Sequence, residues 1–279
     1  MIRERGCRIA RATLALLLAA VGTTVSAGEV KTYEWTYDYD DVVLWQLRLS
    51  FLHHAIPSVE WFVSATSHMR GNRHAFRAFA RQFFSSTFAT FQYTYVSKGK
   101  EHTRTYYARS GEEPPRLDVR GPTPAPFSSY VQTQPAEVHA MLLPSDRSAI
   151  TWTALDDGRG SDARRNDAEL KAVRSIERDI INRRVPLGGE VTAFVSQPMC
   201  LSCDMAVRMF ALQYDIDVHV NVLSSDSAWA SQRFMRKRVA FFTSALASST
   251  TSGPGPGPGP PTPPPAGGVS AYCAAPRSY

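Results

Sequence analysis

Residues 166–223, NDAELKAVRSIERDIINRRVPLGGEVTAFVSQPMCLSCDMAVRMFALQYDIDVHVNVL, decide the fold. Leu170, Val173, Ile176 and Ile180 recur at spacings of three and four, which places them on one apolar face of a helix over 166–184. Pro186 and Gly188-Gly189 end that helix. EVTAFVS (190–196) predicts a strand, because Val, Thr and Phe fit a pleated, half-buried surface. Pro198 opens a turn, 200–213 predicts a second helix, and the alternating DVHVNVL (217–223) predicts a further strand. A third helix is expected over 228–246. The order helix–strand–helix–strand implies an α/β fold with helices packed on a mixed sheet.

The flanks read differently. Residues 28–127 are expected to form an α+β region rich in aromatics. Residues 42–56 and 74–84 have helical apolar spacing. Residues 91–96 and 103–108 are rich in Tyr, Thr and Phe and flank Ser97-Lys98-Gly99-Lys100-Glu101, the pattern of a β-hairpin. Proline-rich 111–127 predicts a linker between this region and an α/β domain over 128–246. Within that domain 131–143 and 149–155 are expected as strands. Residues 247–279, with repeated Gly-Pro and poly-Pro, predict a disordered tail, since prolines favour extended chain and no apolar period can join a core.

The first 27 residues carry Arg3, Arg5, Arg8 and Arg11, then an apolar run, then Val25-Ser26-Ala27. This is the pattern of a cleaved secretory signal peptide, so a secreted or periplasmic protein is expected. The full chain has a formal charge of +6 from 31 basic and 25 acidic residues. Those four arginines and Glu4 lie in the signal, so the charge of the remainder falls to +3 and is poor evidence for a nucleic-acid partner. No later stretch is apolar and long enough to predict a stable membrane span. Four cysteines exclude a disulfide-dense scaffold.

Two features of 166–223 point to chemistry. Asn166-Asp167-Ala168-Glu169 opens the first helix and fits a capping box, with Asn166 as N-cap and Glu169 reaching back. Cys200-Leu201-Ser202-Cys203 opens the second, and by itself fits a local disulfide, a redox pair, half of a metal site or two unrelated buried cysteines. Together they offer more. Catalytic zinc takes three protein ligands and keeps a fourth position open. Two thiols on one helical turn, at a helix N-terminus expected to lower their pKa, leave one ligand to come from a neighbouring element. A ligand from the N-terminus of a neighbouring helix would complete the set, and a carboxylate two residues beyond it could move protons; this chain has Asp167-Ala168-Glu169 at the start of the first helix. Zinc deaminases carry such a set as H-x-E followed by P-C-x-x-C.

On these residues the chain resembles the cytidine-deaminase-like superfamily, and within it the bacterial secreted toxin-type deaminases. Asp167-Ala168-Glu169-Leu170-Lys171 resembles their acidic first-helix run. Gly189 to Phe194 resembles the strand before the cysteines, and Cys200-Leu201-Ser202-Cys203 with Val207, Phe210 and 214–218 resembles the helix and strand after them. The resemblance covers about 165–224. Asp167 stands in place of the family's usual His, and Met199 separates Pro198 from Cys200. The resemblance implies a deaminase-like fold and a Zn2+ ion on Asp167, Cys200 and Cys203. It further implies Glu169 as catalytic proton carrier, a nucleobase-containing substrate (polymer or nucleotide), and a toxin or effector with an immunity or delivery partner.

Two other functions stay open. Strand, Cys-x-x-Cys, helix is also the local pattern of thioredoxin-like oxidoreductases, which suit a secretory compartment. That likeness expects a downstream cis-proline, and no proline lies between Pro198 and Pro254. The other is a non-catalytic secreted effector or binding protein on a deaminase-like fold. Arg233, Arg236, Lys237 and Arg238 beside Trp229 form a candidate nucleic-acid-binding cluster, because bases stack on aromatics flanked by cations. The same cluster also fits a solvated helix face. The seven histidines show no metal-type spacing; adjacent His53 and His54 are expected to diverge around a helix, and His219 to lie on a strand surface. Cys273 is left as an odd thiol, free or paired between chains.

Overall fold

The computed structural model describes residues 28–35, 41–66, 73–117, 125–132, 134–143, 148, 150, 165–223 and 228–251. Side chains at 41, 228–231 and 248–251 are outside this description. The signal-peptide reading of 1–27, the expected strand over 149–155 apart from Ile150, Cys273 and the tail beyond 251 also fall outside it.

The elements are β1 (Val30–Trp35), α1 (Asp41–Thr66), α2 (Arg73–Phe84), β2 (Phe88–Ser97), β3 (Lys100–Arg109), β4 (Glu137–His139), α3 (Ala168–Ile181), β5 (Glu190–Val195), α4 (Leu201–Tyr214), β6 (Asp217–Leu223) and α5 (Ala228–Thr251). The chain is a mixed α/β protein with one six-stranded sheet in the order β1-β6-β5-β2-β3-β4. β1, β6 and β5 run parallel. β2 is antiparallel to both β5 and β3, and β4 is parallel to β3.

Strand alternation sorts the core into two layers. Phe91, Tyr93, Val191, Ala193, Val218 and Val220 meet Leu170, Val173, Ile176, Val207 and Phe210 of α3 and α4 on one face. Phe88, Phe194 and Leu223 meet the aromatic cluster of α1, α2 and α5 on the other, where Phe51, Phe79, Phe83 and Phe242 are fully enclosed. Each such ring contributes roughly 1.5–3 kcal/mol of burial. Hydrogen bonds tie α1 to the hairpin: Ser50 of α1 donates to the carbonyls of Ala89 and Ala108 at 2.9 and 3.1 Å, and Thr90 of β2 donates to Gln46 O at 2.9 Å.

Several expectations change. The boundary expected at 127/128 does not separate two sheets, because the hairpin β2–β3 lies in the middle of the sheet, hydrogen-bonded directly to β5. Residues 30–35, not expected as a strand, pair with β6. The strand expected over 131–143 shrinks to Glu137–His139. α1 runs through Pro57 to Thr66, since the turns beyond it bury Trp61, Phe62 and Ala65. α3 stops at Ile181, not 184, because Arg183 takes a left-handed conformation (φ 56°). α5 extends to Thr251, past the tail boundary expected at 247. Among the described residues no helix is long and apolar enough to cross a membrane.

Candidate metal centre

Sheet and helix packing bring the N-termini of α3 and α4 together. The capping-box expectation fails at this point. Asp167, not Asn166, is the N-cap of α3, and its carboxylate makes no capping hydrogen bond. Oδ2 lies instead 3.2 Å from Cys203 Sγ and 3.6 Å from Cys200 Sγ. Cys200 is the N-cap of α4, with Sγ accepting the Cys203 backbone N–H at 3.3 Å. The two sulfurs are 2.8 Å apart and unbonded, so both cysteines are free. Asp167, Cys200 and Cys203 thus form a group able to hold a metal ion.

The donor set is close to what a tetrahedral ion requires. Sulfur at about 2.3 Å and oxygen at about 2.1 Å require S···O edges of about 3.6 Å and an S···S edge of about 3.8 Å. The S···O distances of 3.2 and 3.6 Å come close to this. The sulfurs must part by about 1 Å from their 2.8 Å contact, a motion that repulsion between two thiolates favours. Soft thiolates with one carboxylate suit zinc among the common divalent ions.

Glu169 sits in the first turn of α3 and is buried. Burial, with Asp167 and Cys200 adding repulsion, pushes its carboxyl up to about 7. The helix N-terminus was expected to lower the thiol pKa values. For Cys203 the balance is opposite: its hydrogen bond with Cys200, its burial and the nearby Glu169 and Asp167 carboxylates push the thiol far above its ordinary range.

The wall behind α3 is built by Lys171. Its buried ammonium donates to the carbonyls of Arg109 and Gly111 at 2.8 and 2.5 Å, and Gly111 N donates to Asn166 O at 2.9 Å. This ties the loop after β3 to the residue before Asp167. Burial lowers Lys171 to about 8.

The candidate nucleic-acid residues do not stay together. Arg238 is buried, donates to the carbonyls of Phe83 and Ser86, and lies 4.5 Å from the Phe234 ring centroid, so it serves the core. Arg233 and Lys237 line a cavity of about 420 Å³ with Trp45 and Arg48 of α1. Arg236 lines a separate groove with Met235 and Val239. The Trp229 side chain is outside the described residues. Among the described residues, Trp45 and Phe234 are the aromatics lining this cavity, on the helix layer opposite α3 and α4. His219 is partly exposed on β6, as expected, 3.6 Å from Glu190.

Sequence reasoning missed a second cluster. His54 of α1, His139 of β4 and Glu113 of the loop after β3 also form a group able to hold a metal ion. His139 and Glu113 are 26 residues apart in sequence, and His54 lies on a different element, so no local spacing announces them. The expected divergence of His53 and His54 is corrected as well: both rings reach His139, at centroid distances of 5.2 and 4.1 Å.

No family model, curated protein or solved structure matches this chain.

Proposed function

We propose that the protein is a zinc-dependent hydrolytic deaminase that acts on a cytosine or adenine base in nucleic acid or a nucleotide. The observation that carries the reading is the convergence of Asp167, Cys200 and Cys203 at two adjacent helix N-termini, with buried Glu169 two residues beyond Asp167 and outside the ligand set. It is the donor pattern that the first-helix and Cys-x-x-Cys motifs of zinc deaminases imply.

Zinc, when bound, supplies a water acidified enough to act as nucleophile at neutral pH. Asp167, Cys200 and Cys203 would hold the ion. Glu169 would move two protons in turn: the first from the attacking water to the ring nitrogen, the second from the newly formed hydroxyl to the amino group, which departs as ammonia. Its burial keeps bulk water away from the carboxylate, so the proton is passed within the site. A secretory signal over 1–27 makes a secreted or periplasmic toxin or effector the matching role, with an immunity or delivery partner.

The test is zinc analysis of the purified chain combined with a deamination screen on single- and double-stranded DNA, RNA and free nucleosides. Glu169→Ala is expected to abolish deamination while bound zinc stays. Persisting activity would overturn the role of Glu169. A metal-free protein with a reversible Cys200–Cys203 disulfide would overturn the whole reading in favour of thiol–disulfide exchange.

A further inference from the structure

We propose that His54, Glu113 and His139 form a second metal site, structural in role, that takes a zinc-class divalent ion on two imidazoles and one carboxylate. His54 is fully buried, and the His139 and Glu113 side chains are only 3% and 2% exposed. Among the described residues, both ring nitrogens of His54, Nδ1 of His139 and Nε2 of His53 have no partner within hydrogen-bond distance. A neutral imidazole carries one N–H and one lone pair. Leaving such groups buried and unpaired costs about 1–3 kcal/mol each. An ion bound by the lone pairs removes part of that cost.

The ligand atoms already converge. One from each residue lies within 4.8 Å of the others. His139 Nε2 is 3.1 Å from Glu113 Oε1, and His54 Nδ1 is 3.6 Å from Glu113 Oε2. A tetrahedral ion with N and O ligands at about 2.1 Å sets edges of about 3.4 Å, so small side-chain rotations complete the set. Two imidazoles and a carboxylate suit zinc better than calcium or magnesium, which prefer all-oxygen shells.

Glu113 is held for this task. Arg109, itself buried, donates to Oε2 at 3.3 Å from Nε and 3.2 Å from Nη2, which leaves Oε1 turned to His139. Arg109 also donates to Ser86 Oγ and to the Glu112 carbonyl. Such outer partners fix a ligating carboxylate in one orientation. The ion would thereby join α1, β4 and the loop after β3, the same loop that Lys171 and Gly111 tie to the start of α3. The site is a clamp behind the thiolate centre, chemically distinct from it because it contains no sulfur.

Cobalt(II) and zinc are the probes. The wild-type chain is expected to bind two equivalents. Cys200→Ser/Cys203→Ser is expected to keep one, whose cobalt complex shows ligand-field absorption but no thiolate charge-transfer band, and whose zinc X-ray absorption spectrum fits imidazole with no sulfur. Adding His139→Asn, or His54→Asn should the first not fold by circular dichroism, is expected to abolish that equivalent. The proposal is overturned if the double cysteine variant takes up no metal, if its uptake survives the histidine changes, or if the wild type binds only thiolate-coordinated metal. A wild type with one equivalent and no thiolate band would instead defeat the thiolate site alone.

Discussion

Lys171 gives the most direct physical test of the wall that positions the site. Lys171 is 2% exposed, and burial lowers its pKa from 10.5 to about 8. Between those values the unfolded chain holds this proton and the native chain does not. Stability therefore rises with pH across that window, because protons favour the state that binds more of them. The difference between 10.5 and about 8, at 1.36 kcal/mol per pH unit, amounts to about 3 kcal/mol. Lys171→Met keeps the length and removes the titration. It also removes the two hydrogen bonds to Arg109 and Gly111 carbonyls, a loss that adds a largely pH-independent offset. The diagnostic quantity is thus the slope. The stability of the wild type minus that of Lys171→Met, from guanidinium unfolding at matched pH, is expected to grow by about 3 kcal/mol between about pH 7 and 10.5. Other alkaline titrations are common to both chains and cancel. A difference that stays flat across this range would refute the buried ammonium and its bridge between α3 and the loop after β3.

Three further outcomes are expected. Cys203→Ser should lower bound zinc by one equivalent in elemental analysis, because it removes one of two thiolates from a three-ligand set. Asp179→Asn should cost about 3 kcal/mol in denaturant unfolding, since the buried carboxylate accepts from Arg104 Nε at 2.8 Å, Tyr106 OH at 3.1 Å and Arg184 Nη1 at 3.2 Å. Gly189→Ala should cost roughly 1–3 kcal/mol by overpacking, because an added Cβ would sit 2.5 Å from the Thr94 carbonyl oxygen and 2.6 Å from the Tyr93 ring; an unchanged melting temperature would show that the β2–β5 edge yields.

Legibility in the sequence followed the range of the interactions. α3, β5, α4 and β6 were readable because each carries its own period and its own punctuation. Leu170, Val173, Ile176 and Ile180 face one way on any helix, and Val191, Ala193 and Val195 face one way on any strand. The placement of β2–β3 was not readable. A hairpin's pattern fixes its turn and pairing but not which edge of which sheet receives it, and here it joins β5 across what looked like a domain boundary. Arg238 shows the same limit at the level of one residue. Beside Arg236 and Lys237 it reads as part of a solvated or nucleic-acid-binding face, yet the packing of α5 turns it onto Phe88 and Phe234.

The two candidate metal groups divide along that line. The sequence by itself determined the α/β class and picked out Asp167, Glu169, Cys200 and Cys203, because candidate site residues at the starts of helices carry a local motif and a helix fixes residues three apart on one side. Only the tertiary structure decided that Asp167 turns from capping to the thiols, which requires α3 and α4 to pack with their N-termini adjacent. Only the tertiary structure assembled His54, Glu113 and His139, whose convergence depends on α1 crossing the β2–β3 hairpin and on β4 adding to its outer edge. Local periodicity is set by backbone geometry and survives in the sequence; a meeting of three elements is set by the whole core and leaves no spacing to read.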